Sequence, residues 1–77
     1  MSKKITGLRP KRVLTALLRA GFYVHHQTGS HVQLHSDMRE HARVTIPMHT
    51  RFDLPPDVVQ SIIKQAGLTR DEFLDLL

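Results

Sequence analysis

The chain has 77 residues, enough for one small domain, which excludes doubly wound sheets, barrel enzymes and pairs of domains. It contains no cysteine, so disulfide bonds and thiolate metal sites are excluded and a reducing cytoplasm is the expected location. We expect neither a signal peptide nor a membrane span, because no long apolar run occurs. We therefore expect a single domain over residues 1–77, with a flexible segment at residues 1–8.

Charge is distributed unevenly along the chain. Residues 1–36 carry six cations and no acid, whereas residues 37–77 carry five cations and seven acids, for a net charge of +4. Clustered cations neutralise phosphates and release counterions, so the basic half is suited to a phosphate-bearing partner. A solvated basic surface explains the same charges without a partner, and charge alone does not choose between the two explanations.

The first predicted element is an amphipathic helix over about residues 10–20. Its apolar side chains recur at helical spacing, while Arg12 and Arg19 fall on the opposite stripe. Pro10 suits the first helical position, and Gly21 suits the left-handed conformation that often ends a helix. One side of this helix is therefore expected to pack against a core, and the other to carry cations.

Three short strands are predicted after this helix, because the apolar period changes to alternation. The register of the first hairpin follows from the requirement that the apolar residues of both strands share one face. A three-residue loop of residues 27–29 meets this requirement by pairing Val24 with Val32 and, on the other face, His25 with His31. The polar residues before the third strand predict an exposed turn.

The last part of the chain predicts two further helices. Pro56 suits the start of one helix and Gly67 its end, and Thr69 and Glu72 have the spacing of a capping box that starts a short terminal helix. The connections between the strands are too short for parallel crossovers, so the sheet is expected to be antiparallel with the two main helices on one face. The predicted fold class is α+β, in the order α-β-β-β-α with a three-stranded antiparallel sheet and a short C-terminal helix.

The sheet face away from the helices, here called the uncovered face, is predicted to be rich in histidine. Alternation assigns to it Tyr23, His25, His31, Gln33, His35, Arg43 and Thr45. An imidazole both accepts and donates protons near neutral pH. RNA cleavage needs both acts, since a base takes the proton of the attacking ribose 2′-hydroxyl and an acid protonates the departing 5′-oxygen. Nearby cations stabilise the charge on the phosphoryl oxygens, so such a site needs no metal.

Each histidine also has a structural explanation. His25 and His35, taken singly, are more simply polar side chains on a solvated strand. His26 is expected on the apolar face, as a structural histidine. His49 follows the third strand, and either caps the loop there or approaches the site.

Metal binding and base stacking are the weaker interpretations of the uncovered face. His31 and His35 are four residues apart, which in a strand is about 13 Å, too far for both to hold one ion. His25 and His31 form a possible pair, but no cysteine or acid on that face completes a ligand set. Tyr23 is the only stacking aromatic expected there. We therefore expect no metal and no other cofactor.

Four short motifs follow one another in a recognisable order and spacing. They are Ala20-Gly21-Phe22, Gly29-Ser30-His31, Val44-Thr45-Ile46-Pro47-Met48-His49 and Ile62-Ile63-Lys64-Gln65-Ala66-Gly67-Leu68. Together they resemble the HicA-type toxins of bacterial toxin–antitoxin systems. The resemblance implies a double-stranded-RNA-binding-like fold and a ribonuclease that cleaves messenger RNA, with His31 as the catalytic residue. It also implies a HicB-type antitoxin that covers the active site and through which any contact with DNA is made.

The expected site combines His31 with an RNA-binding surface. The residues expected to contact RNA are Gly29, Ser30, Lys11, Arg12, Arg19, Tyr23, His25 and Arg43. The partner of His31 in proton transfer stays open among His25, Tyr23, Arg43 and water. Two alternatives use the same surface, a non-catalytic RNA-binding module and an interaction protein whose histidine-rich face docks a partner.

Overall fold

A computed structural model describes residues 4–48 and 51–77 of the chain. The elements are α1 (Pro10–Arg19), β1 (Tyr23–Gln27), β2 (His31–His35), β3 (Arg43–Pro47), α2 (Pro56–Gln65) and α3 (Arg70–Asp75). The strands form one antiparallel sheet in the order β1-β2-β3. The predicted α+β class, with its open three-stranded sheet and short C-terminal helix, is confirmed. Within the described residues, every helix is too short or too polar to cross a membrane.

The core lies between the helices and one face of the sheet. The strands contribute Val32 and Leu34 from β2 and Val44 and Ile46 from β3, all buried. Facing them are the buried side chains of the main helices, among them Val13, Ala16, Leu17, Val59, Ile62 and Ile63. Alternation along β2 and β3 therefore leaves their remaining side chains on the uncovered face.

The segment before α1 contributes to this core. Ile5 and Leu8 fall within the residues expected to be flexible, yet both are buried. The carbonyl of Leu8 accepts a hydrogen bond from the Leu54 amide at 2.7 Å, which joins this segment to the loop before α2. Burial of two large aliphatic side chains supplies the free energy that holds the segment against the core. Residues 1–3 lie outside the described residues.

The short helix α3 begins with the predicted capping box. The Thr69 hydroxyl accepts a hydrogen bond from the Glu72 amide at 3.1 Å, and the Glu72 carboxylate accepts one from the Thr69 amide at 2.8 Å. The bond from the Thr69 amide, aided by the Thr69 hydroxyl, favours the ionised carboxylate and lowers the pKa of Glu72. The cap sets the start of a six-residue helix whose Phe73 is fully buried. Burial of Phe73 and the N-terminal capping box therefore both stabilise α3.

The β1–β2 hairpin differs from the predicted register. Val24 pairs with Leu34 and not with Val32, and the predicted pair of His25 with His31 is also wrong. The turn lies one residue later than expected, over residues 28–30. β1 carries one aliphatic side chain, so the rule that apolar residues share a face constrains its register only weakly.

A β-bulge in β1 accounts for the difference. It lies between Val24 and His26, so His25 and His26 together oppose Gln33. Gln33 lies between two buried residues of β2 and therefore belongs to the uncovered face. His26 is paired with it, so the expectation of an apolar-face position for His26 is wrong. The extra residue directs both histidines of β1 toward the uncovered face.

Candidate active site

His31 lies at one end of the uncovered face, where β2 begins and β3 ends. It pairs with Pro47 of β3, and its side chain is exposed, whereas the next residue, Val32, is buried on the helix side. The Met48 amide donates a hydrogen bond of 2.8 Å to the carbonyl of Ser30, so the residue before His31 is tied to the segment after β3. The strand pairing thus fixes the backbone of His31 while leaving its ring accessible from solvent.

Ser30 contacts the ring of His31 directly. Its Oγ lies 2.9 Å from Nδ1 of the imidazole. In the tautomer with a proton on Nδ1, the ring donates to the serine oxygen and Nε2 keeps its lone pair. The carbonyl of His31 accepts a hydrogen bond from the Thr28 amide at 3.0 Å, which closes the turn before β2. The contact with Ser30 orients the ring and gives its two nitrogens different environments.

A second group of side chains occupies the other end of the uncovered face. His25 stacks on His35, with ring centroids 3.8 Å apart and ring planes 9° apart. Tyr23 meets His35 edge-on, with a centroid distance of 6.5 Å and an angle of 66°. Arg43 is the β3 partner of His35 in the sheet register. We call Tyr23, His25, His35 and Arg43 the imidazole cluster.

The environment of His35 favours the neutral ring. Desolvation is the largest effect that lowers the pKa of His35, and the charges of His25 and Arg43 lower it further. Its Nε2 atom is buried and, among the described residues, has no hydrogen-bond partner. A proton on this ring would lie in poor solvent contact beside a guanidinium and a second imidazole. The cluster therefore favours the uncharged form of the His35 ring.

The imidazole cluster and His31 are separated along β2. His31 and His35 are the first and last residues of this strand, and four strand residues span about 13 Å. His25 stacks on His35, and Tyr23 and Arg43 pair with it, so all three lie at the far end from His31. The side chains of Tyr23, His25 and Arg43 therefore group around His35 and not around His31. Residues 4–48 and 51–77 contain no group of three histidines and acids suited to a metal ion.

The cations of α1 line a groove on the helix side of the molecule, here called the α1 groove. It has a volume of about 540 Å³ and is lined by Arg9, Lys11, Arg12, Thr15, Arg19 and Leu77. Arg19 donates a hydrogen bond of 2.8 Å to the carbonyl of Leu76, which joins the helix to the C-terminal residues. A neighbouring depression of about 310 Å³ is lined by Arg9, Pro10, Lys11 and Met48. Because Met48 bonds to Ser30, this depression leads from the α1 groove toward the His31 end of the sheet.

Comparison with known protein families assigns the chain to one of them. A family model described as the HicA toxin of bacterial toxin–antitoxin systems matches residues 10–68. The chain belongs to the HicA toxin family. The match runs from the start of α1 to just beyond α2 and includes His31 and the imidazole cluster. No curated protein was found to match the chain in sequence. Membership identifies this HicA chain as a component of the toxin type, for which an antitoxin is the partner.

The residues predicted to bind RNA fall into three places in this HicA chain. Gly29 and Ser30 adjoin His31; Lys11, Arg12 and Arg19 line the α1 groove; Tyr23, His25 and Arg43 lie in the imidazole cluster. Arg9 and Met48 were not among the predicted residues, although Arg9 stands directly before the helix-starting Pro10 and so belongs to the same basic run. His49 lies outside the described residues.

Proposed function

We propose that this HicA family member is a metal-independent endoribonuclease toxin that cleaves messenger RNA and is inhibited by a HicB-type antitoxin. The observation that carries the proposal is the exposed ring of His31, held at Nδ1 by the Ser30 hydroxyl at 2.9 Å. The Ser30 contact orients an exposed imidazole, and an imidazole takes or gives a proton near neutral pH. Family membership supports the toxin role of the same chain.

The chemistry follows from the ribose of the substrate. With the Nδ1 proton donated to Ser30, Nε2 of His31 takes the proton of a 2′-hydroxyl. The 2′-oxygen then attacks the adjacent phosphorus, and the bond from phosphorus to the 5′-oxygen breaks. The departing oxygen takes a proton from water, and the hydroxide left behind takes the proton held on Nε2 of His31. The products are a 2′,3′-cyclic phosphate, a 5′-hydroxyl end and the neutral ring. DNA lacks the attacking group and is not cleaved by this route.

The α1 groove supplies the affinity for phosphate in this proposal. Lys11 and Arg12 are exposed on α1, and the depression beside Met48 connects their groove with the His31 end. Cations that neutralise RNA phosphates release counterions and so bind RNA with little regard to sequence. The groove therefore positions the strand, and His31 acts on one of its phosphodiester bonds.

The proposal is tested with wild-type protein and His31→Ala, expressed without an antitoxin and assayed in vitro. Wild type should arrest growth and cleave RNA, with activity that survives a chelator and disappears on a substrate with methylated 2′-hydroxyls. His31→Ala should do neither. His41→Ala is the matched control, because His41 is an exposed histidine in the turn between β2 and β3. Equal arrest by wild type and His31→Ala would remove His31 from the mechanism.

Inhibition by the antitoxin gives a second readout of the same site. A HicB-type protein that covers the active site should protect His31 from modification by diethyl pyrocarbonate, while His41 in the distant turn stays reactive. Full reactivity of His31 in the complex would contradict coverage of this end of the sheet.

A non-catalytic RNA-binding module is the alternative that the α1 groove favours. This groove lies away from the uncovered face and could bind a duplex through its phosphates alone. In that case duplex RNA would bind equally to wild type and His31→Ala, with affinity that falls steeply with salt and with no cleavage products. Detection of cyclic-phosphate ends with wild type alone decides against it.

A further inference from the structure

The imidazole cluster contains stacked rings, an arrangement that the solvated face of a sheet does not require. A bulge in β1 directs His25 onto His35, which produces two parallel rings 3.8 Å apart. Tyr23 stands beside them and remains 41% exposed, so an aromatic surface is open to solvent at this end of the sheet. Solvated strands are normally occupied by Thr, Lys and Glu, which need no such stacking.

The stacked pair also contains a polar atom whose burial lowers the stability of the protein, and the fold alone does not explain why it is present. The Nε2 atom of His35 is buried without a hydrogen-bond partner among residues 4–48 and 51–77. A buried polar atom left unpaired lowers stability, and such atoms in native proteins call for an explanation. Local violations of packing rules of this kind concentrate at functional sites. The cluster is therefore better explained as a binding surface than as structural filling.

The chemistry of the cluster suits a nucleobase together with its phosphate. The exposed ring of His25 is a flat surface on which a base can stack, and this contact tolerates any base. Tyr23, whose ring lies at 66° to that of His35, borders this surface. Arg43, exposed next to His35 in the register, adds a guanidinium that binds phosphate oxygens in pairs. Residues 1–36 contain no acid, so β1 and β2 bring no negative charge to oppose an anion.

The distance between the imidazole cluster and His31 determines how long an RNA must be to reach both. The cluster lies about 13 Å from His31 along β2, and stacked nucleotides of one strand advance about 3.4 Å each. About four nucleotides therefore separate a base on the cluster from a phosphodiester bond at His31. A base inside a duplex is covered on both faces by its neighbours, so the ligand that reaches both sites is taken to be single-stranded.

We infer that the imidazole cluster is a nucleobase-binding subsite for single-stranded RNA, placed about four stacked nucleotides from the bond cleaved at His31. The inference rests on the proposed ribonuclease function and adds a minimum substrate length to it. His25 provides the stacking surface, Tyr23 contacts the base from the side, His35 packs against the other face of His25, and Arg43 binds the phosphate of the stacked nucleotide. His31 contributes the chemistry, and the cluster fixes which part of the strand reaches it.

The test compares two RNA oligonucleotides that share one cleavage site. The long one extends six nucleotides on each side of the cleaved bond, and the short one extends two. Wild type should have the higher kcat/KM on the long RNA. Tyr23→Ala and His25→Ala should lose this preference, with kcat/KM on the long RNA lower by about 5- to 150-fold, the range for loss of one base–aromatic stack. Tyr23→Phe keeps the ring and should keep the preference, and His41→Ala is the matched control.

Each possible result either supports or overturns the nucleobase-binding subsite. A preference retained by both alanine variants, or no preference in wild type, overturns the subsite. Alanine variants that keep the preference but bind the antitoxin weakly would assign the cluster to a protein partner, which also overturns it. If wild type cleaves neither RNA, the proposed function fails on its own. Fluorescence anisotropy of the long RNA with His31→Ala protein, alone and combined with Tyr23→Ala, then still measures the subsite.

Discussion

The two ends of the uncovered face use the same residue type for different chemistry. At one end, His31 is a single exposed ring whose Nδ1 is held by a serine hydroxyl. At the other, His35 is covered by a second imidazole, and its Nε2 finds no partner among the described residues. The first arrangement exposes an oriented imidazole to solvent, whereas the second disfavours protonation of His35 and leaves aromatic surface exposed on Tyr23 and His25. The environment of an imidazole, and not its position on a shared strand, decides what it can do.

The largest expected effect is a difference in cleavage rate between substitutions at the two ends of the uncovered face. Under the proposed mechanism, replacing His31 by alanine removes the group that transfers the proton and should lower the single-turnover cleavage rate by about 100- to 10,000-fold. His25→Ala removes only a stacking surface, and its loss should appear mainly in RNA affinity. Quenched-flow cleavage at saturating enzyme separates the two, because saturation compensates for weak binding. A rate loss for His25→Ala as large as that for His31→Ala would show that the ends do not differ as described.

Local signals in the sequence account for most of the fold. The prolines at 10 and 56 start the main helices, and Thr69 with Glu72 forms the predicted capping box. Each of these signals depends on residues within one turn of one another, so a single sequence contains all the information needed. The position of His31 on the uncovered face follows equally from alternation with the buried Val32.

The features that could not be predicted depend on contacts between distant residues or on weak patterns. β1 has one aliphatic residue among five, so nothing in its sequence predicts the bulge. The stacking of His25 on His35 depends on that bulge and could not be predicted either. The α1 groove joins the start of α1 to Leu77, and the adjoining depression joins it to Met48. Such contacts arise only when the sheet and helices pack, which periodicity does not describe.

An intermediate effect is expected from the two serines that adjoin these histidines. Ser30 contacts the ring of His31, whereas Ser36, directly after His35, accepts a hydrogen bond of 3.2 Å from the Met38 amide. Ser30→Ala should lower the cleavage rate by about 2- to 12-fold, equivalent to roughly 0.5–1.5 kcal/mol for one neutral hydrogen bond. Ser36→Ala should leave the rate unchanged and lower the free energy of unfolding by roughly 1 kcal/mol.

The role of the Ser30 hydroxyl in positioning the His31 ring has its own control. Ser30→Thr retains a hydroxyl and should recover most of the rate that Ser30→Ala loses. Cleavage by Ser30→Ala at the wild-type rate would show that the contact with Nδ1 has no part in orienting His31.

The smallest expected effect is the contribution of His35 to stability as pH changes. Because desolvation and the charges of His25 and Arg43 lower the pKa of His35, the unfolded chain binds a proton at this residue more readily than the folded protein. The contribution of His35 is therefore complete above its usual pKa of about 6.5 and is lost as pH falls through that value toward the lowered one. Urea unfolding at pH 7.5 and 5.5 should show a smaller decrease for His35→Phe than for wild type or His41→Ala. An equal decrease in all three would mean that desolvation and the charges of His25 and Arg43 leave the proton affinity of His35 unaltered.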